Sequence, residues 1–271
     1  MTVVEYRTGR RQDGSRALAV EAPVNLVYGS VPHAVMMATP GDLEDFAYGF
    51  SLTEGIVEEV GEIRDVRVEA AQDGLRLLVE LAPGRLREHL ARKRAISGRT
   101  GCGVCGIEDI ASLPRAALRP APVLRLSVPA IARALAALDK AQRLGAETRA
   151  VHAAAWADRE GNLIVLREDV GRHNALDKLA GALARDKVGA SDGIVLLTSR
   201  VSVEMVQKTA AIGAPLIAAV SAPTALAVRM ADAAGITLAA IARADGFEIF
   251  THPERVTGAV PGKESAYVVV A

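Results

Sequence analysis

The sequence predicts an α/β protein: a three-layer α/β/α sandwich preceded by a smaller α+β domain. Two observations predict it. Beyond residue 150, short and continuously apolar runs alternate with single stretches of helical period, as expected of strands covered on both faces. Before residue 84, a run with alternating apolar and charged residues reads as a hairpin beside one helix. The expected division is residues 1–126 for the first domain, ending in a loop and linker, and 127–271 for the second.

In the first part, Leu43, Phe46, Ala47 and Phe50 fall at helical spacing within the stretch from Asp42 to Gly55, and Gly55 is a suitable stop. Ile63 to Glu69 and Leu75 to Leu81 alternate around the turn Gln72-Asp73-Gly74, the pattern of two antiparallel strands. From Gly84 the chain turns basic, with Arg85, Arg87, Arg92, Lys93, Arg94 and Arg99 crowding the approach to Gly98-Arg99-Thr100-Gly101-Cys102-Gly103-Val104-Cys105-Gly106. So many glycines exclude a helix or strand interior, and a mobile, locally basic loop is expected. Leu113 to Val123 reads as a linker, and Val128 to Leu144 as a helix rich in Ala and Leu.

In the second part, Ala150 to Asp158 and Asn162 to Asp169 read as a strand pair turned at Arg159-Glu160-Gly161. Helices over Asn174 to Asp186, Val203 to Ile212 and Thr224 to Ala234 then alternate with strands over Gly193 to Thr198, Pro215 to Ser221 and Thr237 to Arg243. Strands separated by single helices predict right-handed crossovers and a three-layer α/β/α sandwich.

Composition narrows the function classes. Lys plus Arg equals Asp plus Glu at 32 each, so no global field draws nucleic acid or an acidic membrane, and any anion site must be local. Aromatic content of 3% argues against stacking platforms for single strands. The N-terminus lacks the apolar core of a secretory signal, so a cytoplasmic location is expected. The uncharged stretch from Thr209 to Val228 approaches the length of a membrane span. Gly213, Pro215, Ser221, Pro223 and Thr224 divide it into a helix end, a buried strand and a new helix start.

In such a sheet, ligands bind beyond the carboxyl ends of the strands, where helix N-termini offer free N–H groups and a positive dipole. Three junctions fit. Asp169-Val170-Gly171-Arg172-His173-Asn174 opens one helix with a glycine, a cation and an imidazole; Ser199-Arg200-Val201-Ser202 opens a second; Ser221-Ala222-Pro223-Thr224 opens a third. Together they suit a phosphate-bearing ligand. Ser202, Ser221 and Thr224 serve equally well as plain helix caps.

The chain has two cysteines, Cys102 and Cys105. A carrier of sulfur needs an exposed, low-pKa thiolate on a flexible tether, and Arg99 with the flanking glycines suits that task. The spacing alone leaves alternatives open. A zinc site needs further ligands, the deaminase pattern His-x-Glu with Pro-Cys-x-x-Cys is absent, and a thioredoxin-like pair normally opens a helix after a strand.

Several segments together resemble the formate dehydrogenase accessory sulfurtransferases of the FdhD type. They are the run from Asp42 to Phe50 with Thr53-Glu54-Gly55, Thr100 to Gly106, Val151 to Ala155, Glu168 to Lys178, Ser199 to Ser202 with Glu204 to Lys208, and Ala219 to Ala227. The resemblance implies that a cysteine desulfurase supplies persulfide sulfur. The chain then passes it to the molybdenum bis(molybdopterin guanine dinucleotide) cofactor destined for the formate dehydrogenase catalytic subunit. Cys102 matches the persulfide-carrying position and Cys105 the second thiol. A homodimer, and a second domain similar to the cytidine deaminase fold, are also implied. Cofactor contacts are implied at Ile241, Ala242, Arg243, Ala244, Asp245 and Gly246, although Gly246 and Phe250 depart from the usual basic residue and tyrosine. Arg172, or Arg243, would meet phosphates, and His152 or His173 would assist proton movement or serve structurally. A cofactor chaperone without sulfur transfer, or a zinc-dependent hydrolase, is the competing expectation.

Overall fold

The computed structural model describes residues 1–7, 10–95, 121–243 and 245–258, without the side chains of residues 2–12 and 92–95. The chain opens with a hairpin, β1 (Thr2–Arg7) against β2 (Arg10–Ser15). A four-stranded sheet follows, built from β3 (Ala22–Tyr28), β4 (Val31–Ala38), β5 (Ile63–Ala71) and β6 (Gly74–Leu81) in the order β4-β3-β6-β5. The β5–β6 hairpin is the one read from the sequence, with Asp65 opposite Glu80 and Ala71 opposite Gly74. Helix α1 (Leu43–Thr53) lies on this sheet, packing Phe46 and Phe50 among Val24, Leu26, Leu77 and Val79. It starts after Asp42 and stops at Gly55, whose φ of 64° lies in the left-handed region.

Helix α2 (Pro83–Ala95) occupies a stretch that the sequence marks only as basic. Pro83 and Gly84 look like breakers, yet proline is well placed in a first helical turn, where no N–H is missed. Leu86, His89 and Leu90 carry the apolar spacing, and buried Arg85 ties the helix to Glu58 and Glu62 through contacts of 3.1 and 3.2 Å.

The second sheet has six strands: β8 (His152–Asp158), β9 (Leu163–Asp169), β10 (Gly193–Leu197), β11 (Leu216–Ala219), β12 (Thr237–Arg243) and β13 (Gly246–Thr251), in the order β13-β12-β11-β10-β8-β9. A short pair, β7 (Leu126–Ser127) with β14 (Val256–Thr257), lies beside it. Strands β10, β11 and β12 run parallel, and the outer ones antiparallel. Helices α5 (Arg172–Arg185), α6 (Val203–Ala211) and α7 (Ala225–Ala233) cover one face, with Leu176, Leu179, Met205 and Ala231 packed on Val195, Ile217 and Leu238. Helix α3 (Val128–Ala141) covers the other, with Ile131 and Leu138 against Ile194, Leu196 and Ala218. This is the predicted α/β/α sandwich, and β10 and β11 are buried at every position because both faces are covered.

Two departures have local causes. The predicted helix from Val128 to Leu144 breaks at Gln142, and α4 (Arg143–Thr148) begins afresh because the Glu168 carboxylate accepts the Leu144 and Gly145 N–H groups at 2.9 and 2.7 Å. Strand β13 extends the sheet where no further strand was read. The uncharged stretch from Thr209 to Val228 is divided among the end of α6, β11 and the start of α7. No helix among the described residues is long and apolar enough to cross a membrane. Helix α1 of the first sheet packs directly on α5 of the second, through Gly49 and Gly181.

Candidate functional site

The parallel strands deliver their carboxyl ends to one edge, and all three predicted junctions lie there. Val220 N–H donates to the Leu197 carbonyl at 2.9 Å, and Thr224 N–H to that of Val201 at 3.0 Å, joining the ends of β10 and β11. Ile241 N–H donates to the Ser221 carbonyl at 3.3 Å, and Arg243 Nη1 to that of Val220 at 2.8 Å, joining β11 to β12. Because β8 runs antiparallel to β10, its first residue, His152, reaches the same edge and pairs with Asp169 at the end of β9. Gly171, Arg172, His173, Ser221, Thr224, Ile241, Ala242 and Arg243 are thus brought to one edge of the sheet. Asp245 occupies the turn to β13, and Gly246 opens that strand. Cys102, Cys105 and Ala244 lie outside the described residues, as does the expected loop around the cysteines.

Ile241 is a conformational exception. Its φ of 54° places a β-branched side chain in the left-handed region, where β12 shifts register against β13. Strain of this kind persists only where surrounding contacts enforce it, and it concentrates at ligand-handling positions. Thr224 takes its capping role, accepting the Ala227 N–H at 3.2 Å. Neither Ser202 before α6 nor Gly171 before α5 caps its helix through a side chain, and at α6 the Glu204 carboxylate accepts a backbone N–H instead.

The turn from Asp169 to Asn174 is held from beneath. Asp169 is fully buried and accepts from Gly171 N–H at 2.8 Å, from Asn174 Nδ2 at 3.0 Å and from Thr39 N–H at 2.9 Å. Its charge is met by the equally buried Lys178, one helical turn past Asn174, at 2.6 Å. Lys178 also donates to the Thr39 carbonyl at 2.8 Å, Val170 N–H donates to the Thr39 hydroxyl at 3.1 Å, and Asn174 donates to the Met37 carbonyl at 2.8 Å. The end of β4 therefore belongs to the support of the site. A second buried pair lies deeper. Lys208 on α6 reaches Asp177 at 2.9 Å, Glu54 at 2.7 Å and the Thr53 hydroxyl at 2.9 Å. Burial works to lower the Lys208 pKa, but Asp177 and Glu54 outweigh it and hold the ammonium charged.

This network presents Arg172 and His173 upward. The Nε of Arg172 and the Nε2 of His173 are buried with no hydrogen-bond partner among the described residues. Burial, then Arg172 and Lys208, push the His173 imidazole down to about 4, and burial and Arg172 lower His152 as well. Both rings are thereby held neutral beside a fixed cation. Burial works to raise Glu204, but Ser202, a backbone N–H and the Arg172 guanidinium keep it low and ionised. Arg200 and Arg243 are exposed at the same rim. A site with helix N-termini, several guanidinium groups and neutral imidazoles can hold an anion with several oxygens.

Sequence reasoning gave no role to Thr39, Glu54, Asp177, Lys178 or Lys208. The available signal was a charged residue inside an apolar helical face, since Lys178 sits between Leu176 and Leu179. Among the described residues, no three His, Cys, Asp or Glu side chains converge as a metal site.

A chain named sulfur carrier protein FdhD from Xanthomonas euvesicatoria pv. vesicatoria is 50% identical over 259 residues, 94% of this chain and 91% of that one. A chain of the same name from Cupriavidus necator is 48% identical over 257 residues, covering 94% and 88%. Among solved structures, one described as a formate dehydrogenase accessory protein from Desulfotalea psychrophila superposes with a TM-score of 0.75 at 27% identity, over 94% of this chain and 97% of that one. The family model for FdhD/NarQ matches residues 19–257, and the chain belongs to the FdhD/NarQ family.

Proposed function

We propose that this chain is a sulfurtransferase that acts as a homodimer in the cytoplasm. It takes sulfur from a cysteine desulfurase onto Cys102 and hands it to the molybdenum bis(molybdopterin guanine dinucleotide) cofactor, its substrate, on the way to the formate dehydrogenase catalytic subunit. The name shared by its relatives, sulfur carrier, supports the transfer. The observation that carries the cofactor assignment is the single edge on which three helix N-termini meet Arg172, Arg200 and Arg243. Phosphates of a guanine dinucleotide match that edge in charge.

In the chemistry proposed, the Cys102 thiolate attacks the outer sulfur of the donor persulfide, and the donor thiolate leaves. Release of that sulfur as sulfide takes two electrons, which Cys105 supplies by closing a disulfide with Cys102. The neutral imidazoles of His173 and His152 stand ready to exchange a proton at the ligand. The residues of the edge bind and orient; they perform no covalent step.

The test is mass spectrometry of the intact protein after incubation with a desulfurase and cysteine, with Cys102 and Cys105 replaced one at a time. The expected result is one added sulfur in the parent, lost in Cys102→Ala. An unmodified parent that still binds the cofactor would replace the carrier with a chaperone that delivers without chemistry.

A further inference from the structure

The two larger sheets have four edges, and three carry charges within the edge strand. Strand β5 has Arg64, Asp65, Arg67 and Glu69, β9 has Arg167, Glu168 and Asp169, and β13 has Glu248. Strand β4, Val-Pro-His-Ala-Val-Met-Met-Ala, has none. Natural sheets guard free edges with charge, proline or a bulge, since unpaired N–H and C=O groups template another strand. In β4, Pro32 and the register shift guard only its first half, and Ala34 to Ala38 carries none of these.

The free groups can be named. Gly29 N–H donates to the Val79 carbonyl, so odd-numbered residues of β3 turn their backbone toward β6, and even-numbered ones toward β4. Pro23 faces Met37 and Asn25 faces Val35 in the β3–β4 register. The N–H and C=O of Val35 and Met37 therefore point away from β3, consistent with the bond from Asn174 to the Met37 carbonyl. The Val35 groups and the Met37 N–H have no partner among the described residues. Both side chains are exposed, Val35 at 62% and Met37 at 47%, on the face opposite the buried core.

We propose that β4 pairs with β4 of a second copy of this chain, antiparallel about a twofold axis at Met36. In that register Val35 of each copy stands opposite Met37 of the other, and the two exchange both backbone bonds, four in all. The Met37 carbonyl holds Asn174 as well, as an oxygen with two lone pairs allows. Val35 and Met37 then cover each other across the seam, and self-pairing of an uncharged strand brings no like charges together. The shift of register between Leu26 and Val27 ends the regular ladder on one side, and the bond from Thr39 N–H to Asp169 ends it on the other. The seam so placed adjoins the start of α5, through Met37 and Asn174, and sets the two anion-binding edges beside it.

This pairing rests on the homodimer of the proposed function and names its surface. Sedimentation velocity of the full chain across the micromolar range is the test, with Val35→Lys and Val35→Thr beside the parent. The parent and Val35→Thr are expected at twice 28.4 kDa, and Val35→Lys, with an unchanged circular dichroism spectrum, at 28.4 kDa. Hydrogen exchange should find the Val35 and Met37 amides protected in the parent and unprotected in Val35→Lys. A dimer that survives Val35→Lys with both amides exchanging freely overturns the β4 seam and leaves the homodimer intact. A monomeric parent overturns both, including the case in which it captures an extended apolar peptide instead. Sulfur loading of Cys102 is read separately and decides the transfer reading alone.

Discussion

Gly49 on α1 and Gly181 on α5 meet backbone to backbone, so closely that a Cβ on Gly49 would stand 1.7 Å from the Asp177 carbonyl oxygen, and one on Gly181 1.8 Å from that of Asp45. The neighbouring charges follow from this approach. Asp45 is gripped by Arg167 Nη2 at 2.7 Å and by Arg185 at 2.5 Å, and Thr53 donates to Asp177 at 2.6 Å. Gly49→Ala or Gly181→Ala must push the helices apart. Each is expected to lose about 3 kcal/mol or more, the upper end for overpacking, in urea unfolding. Unchanged midpoints would mean that the crossing yields more easily than its distances imply.

Lys178 and Asp169 are a buried pair whose separation leaves a charge without a partner. Lys178→Met is expected to cost about 3–5 kcal/mol. Adding Asp169→Asn should recover part of that loss, because the remaining amide is neutral. Denaturant unfolding of the two single variants and the double one gives the coupling; additive losses would show that the two groups act independently.

The pH dependence of stability has a defined sign at His173. Its native pKa is pushed down to about 4, and an unfolded histidine titrates near 6.5. The unfolded chain therefore takes up a proton that the native one refuses. This contribution to stability is whole above about pH 6.5, is lost as pH falls toward about 4, and changes no further below that. The ring is partly exposed, so a loss of about 1–2 kcal/mol is expected after solvent screening. The stability difference between the parent and His173→Gln should shrink across this window; a constant difference would contradict the assignment.

Arg172→Ala should weaken guanosine diphosphate, a fragment of the proposed cofactor, about tenfold, or about 1.4 kcal/mol. Its unfolding midpoint should stay near that of the parent. Calorimetric titration reads the affinity, and equal binding would move the phosphate site away from the start of α5.

Most of the second sheet was legible because period and punctuation agree there. The runs ending at Thr198, Ser221 and Arg243 are each stopped by residues that also start a turn or helix. The first half was read less completely. Strand β4 mixes proline and histidine into an edge, and α2 begins with two residues that usually end helices. At the site, Gly171, Arg172 and His173 were visible as a helix start rich in anion-binding groups. Thr39 was not, because its role depends on an Asp169 that lies 130 residues away in sequence. Ile241 was reached only through resemblance, since no local pattern announces a left-handed isoleucine.

The bond network around Thr39 sets a condition on exchange between relatives. The first half of the chain supplies the floor on which the second half rests its 169–174 turn. A chimaera that joins the front of one family member to the back of another inherits a loop cut for different ground. Transplanting the turn with Thr39 and Lys178 carries over the side chains that brace it, and the Met37 carbonyl is supplied by any residue at that place.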